Sequence, residues 1–184
     1  MAIYNAPSDA ANTAVRAFLT KVGEFYLGRS FNTGSGKGQE DWGRIRDSVF
    51  QGQCAYCGET PRALQIEHLC MFNKAEFGLH HPGNIVPCCK TCNKRVKKAD
   101  GTYASWIEHL EVICAQRGEL DQYPARKAKI AKSIADEGYP QLDEKERHAI
   151  RVIANSLYEN IKSESGKSLE LYKQLHKAFV DSDE

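Results

Sequence analysis

Cys54-Ala-Tyr-Cys57, Leu64-Gln-Ile-Glu67-His68 and Asn84-Ile-Val-Pro87-Cys-Cys89-Lys-Thr-Cys92-Asn93-Lys-Arg-Val-Lys97-Lys98 lie within 45 residues of one another. This stretch decides the fold. Two Cys-x-x-Cys pairs can each present two thiolates to one point, and a structural zinc takes four such ligands in a tetrahedron. The set is Cys54, Cys57, Cys89 and Cys92. Cys88 could replace Cys89 if a following helix started differently, but Cys89 restores the two-residue spacing. Cys70 and Cys114 have no partner in sequence and read as core or free thiols.

Between the pairs, alternation of Leu64 and Ile66 against Gln65 and Glu67 predicts a strand over 63–68, and Asn84-Ile-Val-Pro87 predicts a second. A loop connects them, and a helix is expected to begin near Cys89. On a strand, Glu67 and His68 point to opposite faces, so they share a site only where the strand ends and twists. An imidazole titrates near neutrality and suits deprotonation of water. A carboxylate beside it suits a hard divalent ion. On a helix Asn93 sits about 100° round from Cys92, able to face Glu67 and complete an oxygen site, with Lys97 one turn further on towards a phosphate.

With these residues in place, Cys54–Lys98 resembles an HNH (His-Asn-His) endonuclease module, over about a quarter of the chain. The residues that carry the resemblance are the two cysteine pairs, Glu67-His68, Asn84, Asn93 and Lys97. It implies a ββα-metal fold of two strands and a helix around one catalytic cation. It further implies His68 as general base, Asn84 holding the loop that orients His68, and Glu67 with Asn93 ligating Mg2+ or Mn2+. The four cysteines would hold a purely structural zinc, and cleavage would leave 5′-phosphate and 3′-hydroxyl ends. The sequence departs from the usual pattern in having Glu67 where Asp is commoner, Asn93 where His is common, and Leu69-Cys70-Met71-Phe72 where relatives carry a proline. His80 and His81 lie in the same loop, within reach of the site or of a phosphate.

The flanks read as helical. Val15, Phe18, Leu19, Val22 and Phe25 mark a helix over 8–27 with Ser8 as cap, and a glycine-rich linker follows from Gly28 to Gly38. Trp42, Ile45 and Val49 define a short helix over 40–50. Trp106, Leu110 and Ile113 mark a third, and Pro124, Ile130 and Ile134 a fourth that stops at Gly138-Tyr-Pro140. Asp143 with Glu146 opens another, carrying Ile150, Ile153, Leu157 and Ile161. Ser168–Val180 forms a last helix before a frayed Asp181-Ser-Asp-Glu tail. The expected fold class is α+β, mostly helical: N-terminal helices and linker (1–50), the small zinc-stapled ββα-metal module (51–100), and a C-terminal helical region (101–184).

Gly34-Ser-Gly-Lys-Gly and Gly166-Lys167-Ser168 lack the glycine spacing of a phosphate loop and exclude that class. Of the 184 residues 41% are hydrophobic and 27% charged, with no apolar run long enough to span a bilayer and no signal-peptide start, so a cytoplasmic protein is expected. Seven cysteines in such a compartment favour metal thiolates over disulfides. The net charge is only +1, yet Lys90, Lys94, Arg95, Lys97 and Lys98 cluster in a face suited to nucleic-acid phosphates. The sequence therefore predicts a metal-dependent endonuclease acting on DNA, of the restriction, phage or anti-phage defence kind. Two alternatives stay open: a non-catalytic zinc module that binds nucleic acid or protein, and an RNA-cleaving nuclease. The flanking helices leave open a homodimer or a partner protein.

Overall fold

The structure, a computed structural model, describes residues 6–179; Val180 and the expected frayed tail lie outside the described residues. The mostly helical α+β class holds: among the described residues, five α-helices accompany a two-stranded antiparallel sheet. Helix α1 spans Pro7–Leu27, α2 Gly36–Gly43, α3 Trp106–Arg117, α4 Tyr123–Asp136 and α5 Glu144–Phe179. Strand β1 is Gln65–His68 and β2 is Ile85–Cys88, in the register Gln65↔Cys88, Ile66↔Pro87, Glu67↔Val86 and His68↔Ile85. No helix among the described residues is long and apolar enough to cross a membrane.

Two apolar cores position the parts. The first joins the sheet and the four paired cysteines to Phe31, Trp42, Ile45 and Phe50 on one side and to Leu110, Ile113 and Ile130 on the other. The second is the contact of α1 with α5, where Ala11, Val15 and Leu19 meet Ile150, Ala154 and Tyr158, with Leu79 of the inter-strand loop wedged between. Through Leu79, Phe72 and Phe77 the helical layer braces that loop from behind.

Several expectations are corrected. Residues 28–38 are only partly a linker, since α2 starts at Gly36 and continues through a π-helical turn, Arg44–Val49, to Phe50. Gly38 packs directly on residue 32: an added Cβ would lie 2.4 Å from the Asn32 carbonyl oxygen. Helix α1 is capped at Ala6 with Pro7 in its first turn, not at Ser8, and Phe25 faces out. Asn84 precedes β2, in a 3-10 turn over Pro82–Asn84. The two C-terminal helices expected from the sequence are one continuous α5 that runs through Gly166, because helix-compatible residues on both sides outweigh a single glycine. Its buried stripe is Ile150, Ala154 and Tyr158, which turns Ile153 outwards.

The largest correction concerns the helix expected near Cys89. One α-type bond forms there, from the Asn93 amide to the Cys89 carbonyl at 2.9 Å, and then the chain leaves helical geometry. Val96 and Lys98 instead pair with Ala104 and Thr102 across a tight turn at Gly101, whose φ of 83° suits glycine. The next α-helix is α3, which begins at Trp106.

Candidate metal centre and histidine pair

The first cysteine knuckle hangs on backbone bonds. The Gly58 amide donates to the Cys54 carbonyl at 2.9 Å, and Gly58 closes the turn at φ 73°. The Ala55 amide donates to Pro87 at 2.8 Å and so ties this knuckle to β2. The second knuckle follows β2 directly. As a result the ligand sulfurs of Cys54, Cys57, Cys89 and Cys92, all buried, lie within 4.8 Å of one another. The Cys57 and Cys89 sulfurs are 3.8 Å apart, which is about the edge of a tetrahedron with metal–sulfur bonds of about 2.3 Å. This donor set fits a structural metal such as zinc. Cys88 is outside it: its Sγ turns to the Cys89 carbonyl. His109 of α3 steadies the second knuckle, its Nε2 donating to the Cys92 carbonyl at 2.8 Å, with Tyr56 edge-on to the ring.

Glu67 and His68 stand on opposite faces of β1. Glu67 is ion-paired to Arg95, whose side chain is 2% exposed. That guanidinium also donates to the carbonyls of His68 at 2.9 Å, Ala104 at 3.2 Å and Leu69 at 3.3 Å. Burial raises the Glu67 pKa above its ordinary value, and Arg95 opposes the rise. Asn93 is engaged elsewhere, its amide donating to Gln65 Oε1 at 2.9 Å. As placed, Glu67 is committed to a buried guanidinium, so the Mg2+ or Mn2+ site implied by the resemblance is not supported by this arrangement, although the Asn93 bond uses its nitrogen and not the oxygen that would ligate.

His68 faces the inter-strand loop. Its Nε2 lies 2.9 Å from His80 Nδ1, so one ring donates and the other accepts. Phe72 stacks on His68 with ring centroids 4.7 Å apart, and Phe31 lies 4.8 Å from the His80 ring. Burial, with His80 beside it, pushes the His68 pKa down to about 3, which keeps the imidazole neutral near pH 7. Burial also lowers His80, against the pull of Glu24.

Asn84 clamps the loop between these histidines. Its Oδ1 accepts from the Cys70 amide at 2.8 Å, while Nδ2 donates to the carbonyls of Cys70 at 2.9 Å and Leu79 at 2.8 Å. Its own carbonyl accepts from the Leu69 amide at 2.9 Å. The residue is 1% exposed. One buried side chain thus joins the residues just after His68 to the residue just before His80. His81 is not at the pair: its Nδ1 accepts from the Gly83 amide at 3.0 Å, and its ring meets Tyr139.

The basic cluster divides. Lys90, Lys94, Lys97 and Lys98 are exposed, with Lys98 paired to Glu108 at 2.8 Å and Lys97 over the Tyr103 ring. Arg95 is withdrawn from any surface role. Its inward turn and the part played by His109 had no signal at motif level, although an arginine among lysines suits a buried, many-donor site better than any of them.

No family model, curated protein or solved structure matches this chain.

Proposed function

We propose that this chain hydrolyses DNA phosphodiester bonds, with His68 as general base. The observation that carries the reading is the Asn84-clamped loop, which holds a neutral His68 against His80 at the loop end of a hairpin whose other end carries the cysteine cluster. A base for water needs a fixed ring and a free lone pair. His80 and Phe72 fix the ring from two sides, and in the tautomer in which His68 Nε2 donates to His80 Nδ1, the lone pair on His68 Nδ1 is left to take the proton. In the reaction the water oxygen bonds to phosphorus, its proton passes to His68, and the bond from phosphorus to the 3′ oxygen breaks, the departing oxygen taking a proton from solvent water to become the 3′-hydroxyl. The exposed Lys90, Lys94 and Lys97 supply phosphate contacts. A restriction, phage or anti-phage defence setting is part of the same proposal.

A second reading has its own observation. The buried Glu67–Arg95 pair places a guanidinium where a nuclease would want a cation, which favours a zinc module that binds nucleic acid without cutting it. Plasmid and matched RNA incubated with wild type and His68→Ala, in Mg2+, in Mn2+ and in chelator, separate the two. DNA nicking or linearisation that falls at least a hundredfold in the variant supports the first reading. Retention of DNA without cleavage under every condition supports the second, and cutting confined to RNA changes the substrate.

A further inference from the structure

Helix α5 is far longer than the helix that covers it. At about 1.5 Å per residue its 36 residues reach about 54 Å, against about 31 Å for the 21 of α1. The side chains that meet α1 are Ile150, Ala154 and Tyr158. Near the start of α1, Asp9, Thr13 and Arg16 line a groove that ends at Ile161. The same face continues without α1, through Ile161, Ser165, Ser168, Tyr172, Leu175 and Phe179, at steps of three and four. On and beside it Leu169 is 51% exposed, Leu171 56%, Tyr172 62%, Leu175 47% and Phe179 71%.

Such a face is anomalous for a chain alone in water. The segment is also a weak helix by itself, because Ser163, Ser165, Gly166 and Ser168 fall together and an isolated helix of this length is marginal. A partner lying on the stripe would also keep it helical.

We propose that the distal half of α5 is the interface with a second copy of this chain, the two tails packing antiparallel about a two-fold axis near Glu170. That axis places Ile161 opposite Phe179, Ser165 opposite Leu175 and Ser168 opposite Tyr172. Small side chains thereby face two of the large ones, the arrangement that lets helices interdigitate. Each tail lies on its partner where α1 leaves off, so the covered stripe of α5 becomes continuous. If the five exposed side chains each bury about 100 Å2, the pairing covers about 500 Å2 per copy and about 1,000 Å2 in all, the lower bound for a biological interface and the range of weak, reversible association. An isologous contact of this kind closes at two copies. It does not depend on the nuclease reading.

Sedimentation velocity of the full chain, from about 1 to about 100 μM, tests the proposal alongside far-UV circular dichroism at the same concentrations. The expected result is a monomer–dimer equilibrium whose helicity rises with the dimer. The double variant Tyr172→Glu, Leu175→Glu is expected to stay monomeric at every concentration, with its metal content unchanged, since both side chains lie on the surface away from the cysteines. A wild type that remains monomeric throughout, or a double variant that dimerises as the wild type does, overturns it.

Discussion

His81 shows how one buried residue links this fold to pH. It is 2% exposed, its Nδ1 accepts the Gly83 amide, and burial pushes its pKa from 6.5 down to about 4. Glu137 pulls the other way, while Arg29 and His80 add to the depression. Between about pH 6.5 and 4 the unfolded chain binds a proton that folded His81 refuses. Its contribution is therefore complete above about pH 6.5 and is lost as pH falls towards 4, up to about 3 kcal/mol at the rate of about 1.4 kcal/mol per pH unit. Urea denaturation across this range should give a steep acid loss in wild type. His81→Asn, whose amide oxygen can accept from Gly83, should start less stable at pH 7.5 and show a shallower slope. Equal slopes would remove His81 from the account. The sequence marked His81 only as a residue within reach of the site; the cause of its behaviour, burial against Tyr139, depends on a residue 58 positions away.

At the scale of elements, α1 and the inter-strand loop meet backbone to side. A Cβ at Gly23 would stand 2.3 Å from the His80 carbonyl oxygen, so the helix approaches the loop only because residue 23 has no side chain. Gly23→Ala should cost about 1–3 kcal/mol through forced displacement, with a melting temperature lower by about 2–10 °C for a chain of this size. The same variant should broaden or shift the His80 and His68 ring signals in NMR, because the loop that carries His80 must move. Unchanged spectra with unchanged melting would mean the contact is slack. The amphipathic pattern located α1 correctly, but glycine within a helical stripe reads as a weakness when its partner is out of sight. Pattern likewise located both strands to within two residues, yet it extended a helix from Cys89 where hairpin bonds from Val96 and Lys98 win.

For the whole molecule, the four cysteines meet where the two-stranded sheet and its turns join the first core, and a metal held by them would tie those elements together. A bound structural metal contributes its binding free energy to folding. Cys57→Ser should lower the bound metal per chain and the melting temperature together, by about 10 °C or more. Chelation of wild type should remove near-ultraviolet circular dichroism from Tyr56 and Trp42 while much of the helical signal persists, since α1 and α5 share a separate core. A fully cooperative loss of both signals would mean that the two cores stand or fall together. The sequence by itself determined the helical majority, the cysteine quartet and the place of the hairpin, because spacing and periodicity are local properties that a chain carries before it folds. Only the tertiary structure decided that Glu67 faces Arg95 while His68 faces His80, that Arg95 leaves the basic surface, and that Asn84 ties Cys70 to Leu79. Those outcomes depend on which buried polar groups find partners across the fold, and that competition has no signature in the order of the residues.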